Sequence, residues 1–279
     1  MGNFALAFTN AATARAAQMT KRVVLTALAL ITAGAALARP EPAVKAPQVD
    51  NPVRLLMVGN SYLYYGDSLH NHLNGIVSAA DPATGKQLQY KSATIGGASL
   101  DHHNFDWLTK PGQIGVKEPF QLVVLQGNSA AALSESRQAV FRKAATEANK
   151  LITERGGKTA LYMPHAYVAP HKQAKPENIR LNEAFYVAVG NELNALVIPV
   201  GLAFEEAYRR FPDMKLHKAH DGSHPSLLGT YLAAATCYAT LYGKSPVGNS
   251  FNAFGQIDAE SLKKVQQVAE DTVKTFFGR

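Results

Sequence analysis

Cysteine is almost absent from this sequence. Its 279 residues contain a single cysteine, Cys237, so no disulfide can form within the chain and a cysteine-based zinc site is excluded. The stretch from Leu232 to Leu241 around it is apolar and has a helical pattern. We therefore expect Cys237 to be a buried structural thiol.

Charge is also sparse, at 18% of residues, and the net charge is +7. Three basic residues and no acidic residue lie in residues 1–38, which leaves a net charge of +4 for the remainder. No run of Lys and Arg is present, so the sequence argues against a nucleic-acid partner. A hydrophobic content of 47% argues for a folded globular protein and against disorder, collagen or coiled coil.

No hydrophobic run is long enough to span a bilayer comfortably. The longest near the start, Val23 to Ala33, follows Lys21-Arg22 and precedes Ala36-Leu37-Ala38. A positive segment, a short apolar segment and an Ala-x-Ala end are typical of a secretory signal peptide. The pattern predicts a signal peptide over residues 1–38, cleaved after Ala38, and a periplasmic or secreted protein.

An uncleaved membrane anchor is the alternative interpretation of the same residues. Met19 is the more natural start, because residues 1–18 lengthen the positive segment without adding a signal feature. N-terminal sequencing of the exported protein that found Met1 or Met19 intact would contradict cleavage. Residues 39–50, which contain three prolines, are interpreted as an extended linker, followed by one domain over residues 51–279.

Strand-like and helix-like segments alternate along this domain, without an internal repeat. Such alternation predicts an α/β fold, with a parallel sheet covered by helices on both faces. The predicted strands are Val53–Val58, Gln87–Thr94, Phe120–Leu125, Thr159–Met163 and Ala195–Pro199. The predicted helices are Ser68–Ala80, Ser134–Arg155, Asn178–Asn194, Gly201–Phe211, Leu227–Tyr242 and Ala259–Phe277.

Ligands of parallel α/β sheets bind beyond the carboxyl ends of the strands. Three strands end in Gly59-Asn60-Ser61, Gly96-Gly97 and Gln126-Gly127-Asn128-Ser129, and Asp221-Gly222-Ser223-His224-Pro225 precedes the penultimate helix. Together these segments offer a nucleophile, a base, a carboxylate and hydrogen-bond donors. Those are the components of a serine hydrolase.

The spacing Asp221-x-x-His224 suits a catalytic pair. Pro225 disfavours the helical conformation at His224, which places the imidazole on a loop. A carboxylate three residues earlier can fold back onto one ring nitrogen and leave the other nitrogen for Ser61. The alternative is that Asp221 only caps a turn and His224 is a surface residue.

These four segments resemble the conserved blocks of the SGNH (GDSL-type) hydrolases. Val58-Gly59-Asn60-Ser61-Tyr62 resembles block I, Gly97 is similar to the block II glycine, Leu125 to Ser129 resembles block III, and Asp221 to Pro225 matches block V. They occur in family order across residues 53–225, which is most of the predicted mature chain.

The resemblance implies a three-layer α/β/α sandwich with a flavodoxin-like parallel sheet, and an esterase or related acyl-hydrolase activity. It implies Ser61 as nucleophile, His224 as base and Asp221 as its partner. It also implies an oxyanion hole formed by the N–H groups of Ser61 and Gly97 and the side chain of Asn128.

The sequence departs from the family pattern at three positions. Asn60 replaces the usual Asp of block I, Gln126 replaces the Gly of block III, and Ser129 replaces its Asp. This resembles a branch of the family with Gln-x-x-Ser at this point. The departures bear on substrate class more than on the chemistry.

The literal string Gly66-Asp67-Ser68-Leu69 does not follow a predicted strand. Ser68 stands where an amphipathic helix begins, so Asp67 or Ser68 is interpreted as an N-cap and Ser61 as the nucleophile. No Gly-x-Ser-x-Gly string is present, which argues against the α/β-hydrolase type.

The predicted function is a serine esterase that acts on short acyl esters, with acetyl esters on glycans as one candidate. The alternatives are a glycan-binding module without activity, a thioesterase or lysophospholipase, and a metal-dependent phosphoesterase. No cofactor is expected. No metal is expected either, because the adjacent histidines of Asp101-His102-His103 point in different directions and lack a partner pair at ligand spacing.

Overall fold

The computed structural model describes residues 39–279. The predicted signal peptide, its cleavage site and both candidate start methionines lie outside the described residues or at their border. In residues 39–279, no helix is both long enough and apolar enough to cross a bilayer.

The centre of the domain is a sheet of five parallel strands in the order β2-β1-β3-β4-β5. This is the flavodoxin-like strand order, with β1 in the interior of the sheet. The apolar runs of the sequence form the interior strands, because both faces of a parallel sheet are covered. The strands are β1 (Arg54–Gly59), β2 (Gln89–Thr94), β3 (Leu122–Leu125), β4 (Lys158–Tyr162) and β5 (Leu196–Ile198).

Helices connect the strands and cover the sheet. They are α1 (Ser61–Tyr64), α2 (Leu69–Ala80), α3 (Pro82–Gly85), α4 (Phe105–Thr109), α5 (Glu135–Glu154), α6 (Asn178–Leu193), α7 (Val200–Arg210), α8 (Leu227–Leu241) and α9 (Ala259–Phe277). A 3-10 turn spans Leu100–His102.

The side chains of β1 alternate between two hydrophobic clusters. Leu55 and Met57 face the cluster that includes α2, α7, α8 and α9, whereas Leu56 and Val58 face the cluster that includes α4, α5 and α6. This alternation is the period of two expected for a strand. The result is the predicted three-layer α/β/α sandwich, with helices on both faces.

Every long helix and every strand predicted from the sequence is present, with ends shifted by two residues or fewer. The sequence analysis missed α1, α3, α4 and the 3-10 turn. These elements contain three to five residues, which is too short for a 3.6-residue hydrophobic period to be visible. One of them, α1, carries Ser61.

Residues 39–50 contain no helix or strand and lie against the domain. Asn191 of α6 accepts a hydrogen bond from the Ala43 amide (2.7 Å) and donates one to the Glu41 carbonyl (3.0 Å). Val44 packs against the core. This segment is therefore extended and in contact with the domain. Cys237 is fully buried in α8, and burial raises the pKa of its thiol.

Candidate active site

Ser61 is the first residue of α1, directly beyond the carboxyl end of β1. Asn60 is the N-cap of this helix, and its Oδ1 accepts a hydrogen bond from the Tyr62 amide (3.1 Å). A short helix that begins at the strand end points the Ser61 hydroxyl away from the sheet edge. Ser61 is 7% exposed, so the hydroxyl lies in a shallow, mostly enclosed position.

The Asn60 side chain joins the three strand-end loops. Its Nδ2 donates to the carbonyl oxygens of Ala98 (2.9 Å) and Gly127 (3.2 Å). Both amide hydrogens of Asn60 are therefore used, and both acceptors are backbone carbonyls. A carboxylate at this position has no hydrogens to donate, which gives a physical reason for asparagine where block I usually has Asp.

Gln126 holds the same turn from below. Its side chain is fully buried, and its Oε1 accepts a hydrogen bond from the Asn60 amide (2.8 Å). The approach is so close that a Cβ at residue 59 would overlap the Gln126 side chain, so Gly59 is required there. Gln126 thus supports the nucleophile turn and is buried beneath it.

The loop that carries Asp221 and His224 is closed by an antiparallel bridge between His217 and Pro225. The Lys218 amide donates to the His224 carbonyl (2.8 Å), and the Ser226 amide donates to the Leu216 carbonyl (2.8 Å). Residues 216–226 therefore form a hairpin-like loop that ends where α8 begins. As expected from Pro225, His224 lies on this loop and outside the helix.

Ser61, His224 and Asp221 form a continuous hydrogen-bonded chain. The Ser61 Oγ lies 2.9 Å from His224 Nε2, and His224 Nδ1 lies 2.7 Å from Asp221 Oδ2. With the ring proton on Nδ1 donated to the carboxylate, Nε2 accepts the Ser61 hydroxyl proton. This is the geometry of a nucleophile, a base and an orienting acid.

Asp221 is held in its ionised form. Burial alone would raise the pKa of this carboxyl, but hydrogen bonds from the Ser223 and His224 amides and from the His224 ring outweigh burial and lower the pKa to about 2. The amide bonds are 2.7 and 3.0 Å long and both reach Oδ1. Oδ2 therefore remains directed at the imidazole and stabilises the ring when it gains a proton.

Ser223 is clamped at each of its polar groups. Its amide donates to Asp221, its carbonyl accepts from His165 Nε2 (2.8 Å), and its Oγ lies 3.0 Å from the Tyr62 hydroxyl. Tyr62 follows the nucleophile directly in the chain. The clamp thus connects the loop of the base to the turn of the nucleophile and fixes the distance between them.

Gly222 brings this loop against the chain that follows β4. Its carbonyl accepts a hydrogen bond from the Val168 amide (2.9 Å), and its φ of +62° lies in the left-handed region. A Cβ at residue 222 would overlap the Val168 carbonyl oxygen. Both the conformation and the close contact therefore require glycine at this position.

Two buried histidines support the loop from beneath. The His165 ring is stacked between Tyr62 and Phe204, with both centroid distances 4.3 Å. The His217 ring contacts His165 edge-on and lies within hydrogen-bond distance of the Tyr208 hydroxyl (2.7 Å) and the Ala166 carbonyl (3.1 Å). Burial lowers the pKa of His217 to about 4 and holds that of His165 well below its usual range. Both rings are therefore neutral at pH 7.

Tyrosine side chains surround the base. Tyr65 stacks on the His224 ring with centroids 4.0 Å apart, and Tyr62 contacts the same ring edge-on at 6.0 Å. Tyr62 is buried, so it packs beneath the loop, whereas Tyr64 is 39% exposed. Of the three tyrosines after the nucleophile, Tyr64 is the one that presents a large surface to a ligand.

The predicted oxyanion-hole residues lie on adjoining loops. Asn128 Nδ2 donates to the Gly97 carbonyl (3.2 Å), and Asn128 Oδ1 accepts from the Ala130 amide (3.0 Å). These bonds fix the amide and leave one of its hydrogens available. Within residues 39–279, the Ser61 and Gly97 amides donate to no protein acceptor. Three donors are thus available at the ends of β1, β2 and β3.

The structure distinguishes Ser61 from Ser68, the serine of the Gly66-Asp67-Ser68-Leu69 string. Ser68 is the residue before α2, as expected for an N-cap, although its side chain makes no capping bond and instead donates to the Tyr64 carbonyl (3.4 Å). Sequence analysis missed the roles of His165 and Ser223, because no motif marks them and they reach the site only when the chain is folded. Ser129 bonds the Tyr167 hydroxyl (2.7 Å).

Among residues 39–279, no group of three or more His, Cys, Asp or Glu side chains is placed to hold a metal ion. His220 lies 3.3 Å from Asp221 Oδ2 and is 73% exposed. His220 approaches the carboxylate from the solvent side, and no further pair of metal ligands among residues 39–279 faces it.

Several solved structures have the same α/β/α architecture as this chain. No protein-family model and no curated protein sequence matches the chain. A DUF4886 family protein from Bacteroides uniformis is 18% identical, with a TM-score of 0.57 over 78% of this chain and 93% of the other. A proposed SGNH hydrolase from Slackia heliotrinireducens is 20% identical, with a TM-score of 0.53 over 68% and 99%.

A mutant of Axe2, an acetylxylan esterase from Geobacillus stearothermophilus, is 14% identical, with a TM-score of 0.52 over 70% of this chain and 95% of the other. The chain has the SGNH hydrolase fold. The SGNH fold expected from the four sequence blocks is thereby confirmed. Because the sequence identities are low, the similarity concerns the fold alone.

We expect Asn60→Asp to destabilise the domain, although it only replaces the side-chain NH2 group by an oxygen. The new carboxylate would face both carbonyl oxygens, which leaves the Ala98 carbonyl without a donor and the Gly127 carbonyl with only the Gln126 side-chain amide. At pH 7 the free energy of unfolding should fall by roughly 1–3 kcal/mol, measured by urea denaturation. Asn71→Asp on the exposed side of α2 is the control, and an equal loss in both variants would contradict the role of Asn60.

Stability should fall between pH 6.5 and pH 4. The unfolded chain binds a proton at His217 near pH 6.5, whereas the folded chain resists it until about pH 4. The contribution is therefore complete above pH 6.5 and lost as the pH falls, by up to about 3 kcal/mol. Urea denaturation at pH 7.5, 6 and 4.5 measures it. His217→Gln should reduce the dependence without abolishing it, because the buried His165 contributes in the same direction. His220→Gln should leave the dependence unchanged, and a reduction in His220→Gln but not in His217→Gln would refute the assignment.

Proposed function

We propose that this protein is a serine esterase with Ser61 as nucleophile, His224 as general base and Asp221 as orienting acid. The observation that carries the proposal is the hydrogen-bonded chain from Ser61 Oγ through His224 to Asp221, at 2.9 and 2.7 Å. Ser61 attacks the ester carbonyl while His224 Nε2 takes its proton. His224 then returns that proton to the leaving alcohol, and water releases the acyl group by the same route.

The oxyanion of each tetrahedral intermediate is stabilised by the Ser61 and Gly97 amides and by Asn128 Nδ2. Donors that are fixed before the reaction need no reorganisation when charge develops on the oxygen. The bonds of Asn128 to Gly97 and Ala130 provide this preorganisation. The negative charge of Asp221 stabilises the imidazolium that forms at the same moment.

The substrate class proposed is a short acyl ester, with acetyl groups on glycans as the leading candidate. Its support is the likeness in fold to acetylxylan esterase structures. An exposed aromatic ring beside the nucleophile, that of Tyr64, suits stacking on a sugar face. A periplasmic or secreted location belongs to the same proposal and rests on the signal-peptide pattern of residues 1–38.

Hydrolysis of p-nitrophenyl acetate, butyrate and octanoate by residues 39–279 tests the nucleophile and the acyl length together. Ser61→Ala should lower kcat/KM by at least about 10³-fold, with acetate the preferred substrate of the unaltered enzyme. Ser68→Ala, the serine of the rival string, is the matched control and should retain activity. Loss in Ser68→Ala alone would overturn the assignment, and full activity in Ser61→Ala would exclude the triad.

Removal of the side-chain oxyanion donor should slow turnover without loss of the fold. We expect Asn128→Ala to reduce kcat by about 10²–10³-fold, with a smaller change in KM. Ser129→Ala, which removes a neighbouring hydroxyl bonded to Tyr167, should cost less than about tenfold and serves as the control. An unchanged kcat in Asn128→Ala would refute the role of this amide.

A further inference from the structure

Arg137 stands apart from the other arginines of the domain. Between Arg54 and Arg279, it is the arginine that makes no salt bridge and no hydrogen bond with any described residue. The others each bond a carboxylate or a carbonyl oxygen: Arg54, Arg142, Arg155, Arg180, Arg209, Arg210 and Arg279. A guanidinium has five donors and forms its strongest bonds with carboxylates and phosphates. Arg137 is exposed, so its donors are open to a ligand.

The location of Arg137 connects it to the candidate active site. It lines a cavity of about 150 Å³ whose wall also includes Asn128, the proposed oxyanion donor. Its positive charge reaches Tyr167 as well, where it offsets part of the rise in the pKa that burial produces. Tyr167 bonds Ser129, the neighbour of Asn128. The unpaired charge therefore lies in the same cavity as Asn128, the proposed oxyanion donor.

The remaining wall of this cavity is mixed in character. The hydroxyl groups of Ser99 and Ser136 lie beside the apolar side chains of Leu100, Val140 and Phe141. Hydroxyl partners next to apolar surface suit a ring that has both polar edges and apolar faces. A planar guanidinium adds a donor pair that matches a carboxylate with two parallel hydrogen bonds.

We propose that this cavity is a substrate subsite and that Arg137 binds a carboxylate carried by the substrate next to its ester. The chemical class is an esterified sugar acid, or another ester whose alcohol or acyl part bears a carboxylate. This proposal rests on the esterase function proposed above, because it takes Asn128 as the oxyanion donor. A phosphate group offers similar charge and is the competing source of anionic chemistry.

Binding by calorimetry tests the subsite without need of catalysis. The probes are methyl β-D-glucuronide, methyl β-D-glucoside and methyl β-D-glucoside 6-phosphate, which differ only in the group at the sugar C6 position. We expect the glucuronide to bind about tenfold more tightly than the glucoside. Arg137→Gln should remove this preference. Arg142→Gln, on the same helix and paired with Glu192, is the control and should preserve it.

Each other outcome overturns the proposal. Equal binding of the glucuronide and the glucoside, or binding of neither, excludes a carboxylate subsite. A preference that survives in Arg137→Gln assigns it to another residue. Tighter binding of methyl β-D-glucoside 6-phosphate that depends on Arg137 replaces the carboxylate with a phosphate.

Kinetics then locate the subsite relative to the nucleophile. The glucuronide should raise the KM for p-nitrophenyl acetate without lowering kcat, and Arg137→Gln should weaken this competition about tenfold. Tight glucuronide binding that leaves KM unchanged would place the site elsewhere. A protein that binds the glucuronide through Arg137 but hydrolyses none of the three p-nitrophenyl esters would retain the subsite and lose the proposed esterase function.

Discussion

The arrangement of the site depends on the hydrogen bonds of the Asn60 side-chain amide. Its two hydrogens bond carbonyl oxygens of two other loops, and its oxygen caps the helix that begins with Ser61. The three loops at the carboxyl ends of β1, β2 and β3 are thereby held in one arrangement. The positions of Ser61 and of the candidate oxyanion donors follow from this arrangement, because all of them lie within a few residues of an Asn60 bond.

The second half of the site reaches the first through Ser223 and Tyr62. His224 and Asp221 lie on a loop far along the chain, which has no strand of its own in the sheet. A hairpin-like closure, a stacked column of Tyr62, His165 and Phe204, and the bonds to Ser223 position that loop. The column contains a neutral histidine where an apolar ring would fill the same space. The reason is the hydrogen bond that its Nε2 donates to the Ser223 carbonyl.

The sequence predicted the parts of this protein that depend on local patterns. Hydrophobic periodicity located the strands and the six long helices, and polar residues at strand ends located Ser61, Gly97 and Asn128. The spacing of Asp221 and His224 predicted their contact. The structure brings Ser61 and His224 together although 163 positions separate them, which periodicity alone could not establish.

The sequence could not predict contacts that arise only from packing. His165 follows β4 by three residues and has no motif, so its place beneath the base loop depended on the stacking of two distant aromatic rings. That Arg137 has no partner among residues 39–279 is likewise a property of the folded surface, since acidic residues occur nearby in the chain. Gln126 was visible as a departure from a family pattern, but its buried bond to the Asn60 amide required the structure.

The Asp-x-x-His segment requires glycine at its second position, which the motif itself does not specify. The second residue of the segment adopts a left-handed conformation against the Val168 carbonyl, so part of the candidate site belongs to the chain after β4. Transplanting these residues onto another scaffold would move the acid and the base but leave behind the surface that shapes them. A transfer to another protein would therefore have to include two loops together, residues 216–226 and the chain that follows β4.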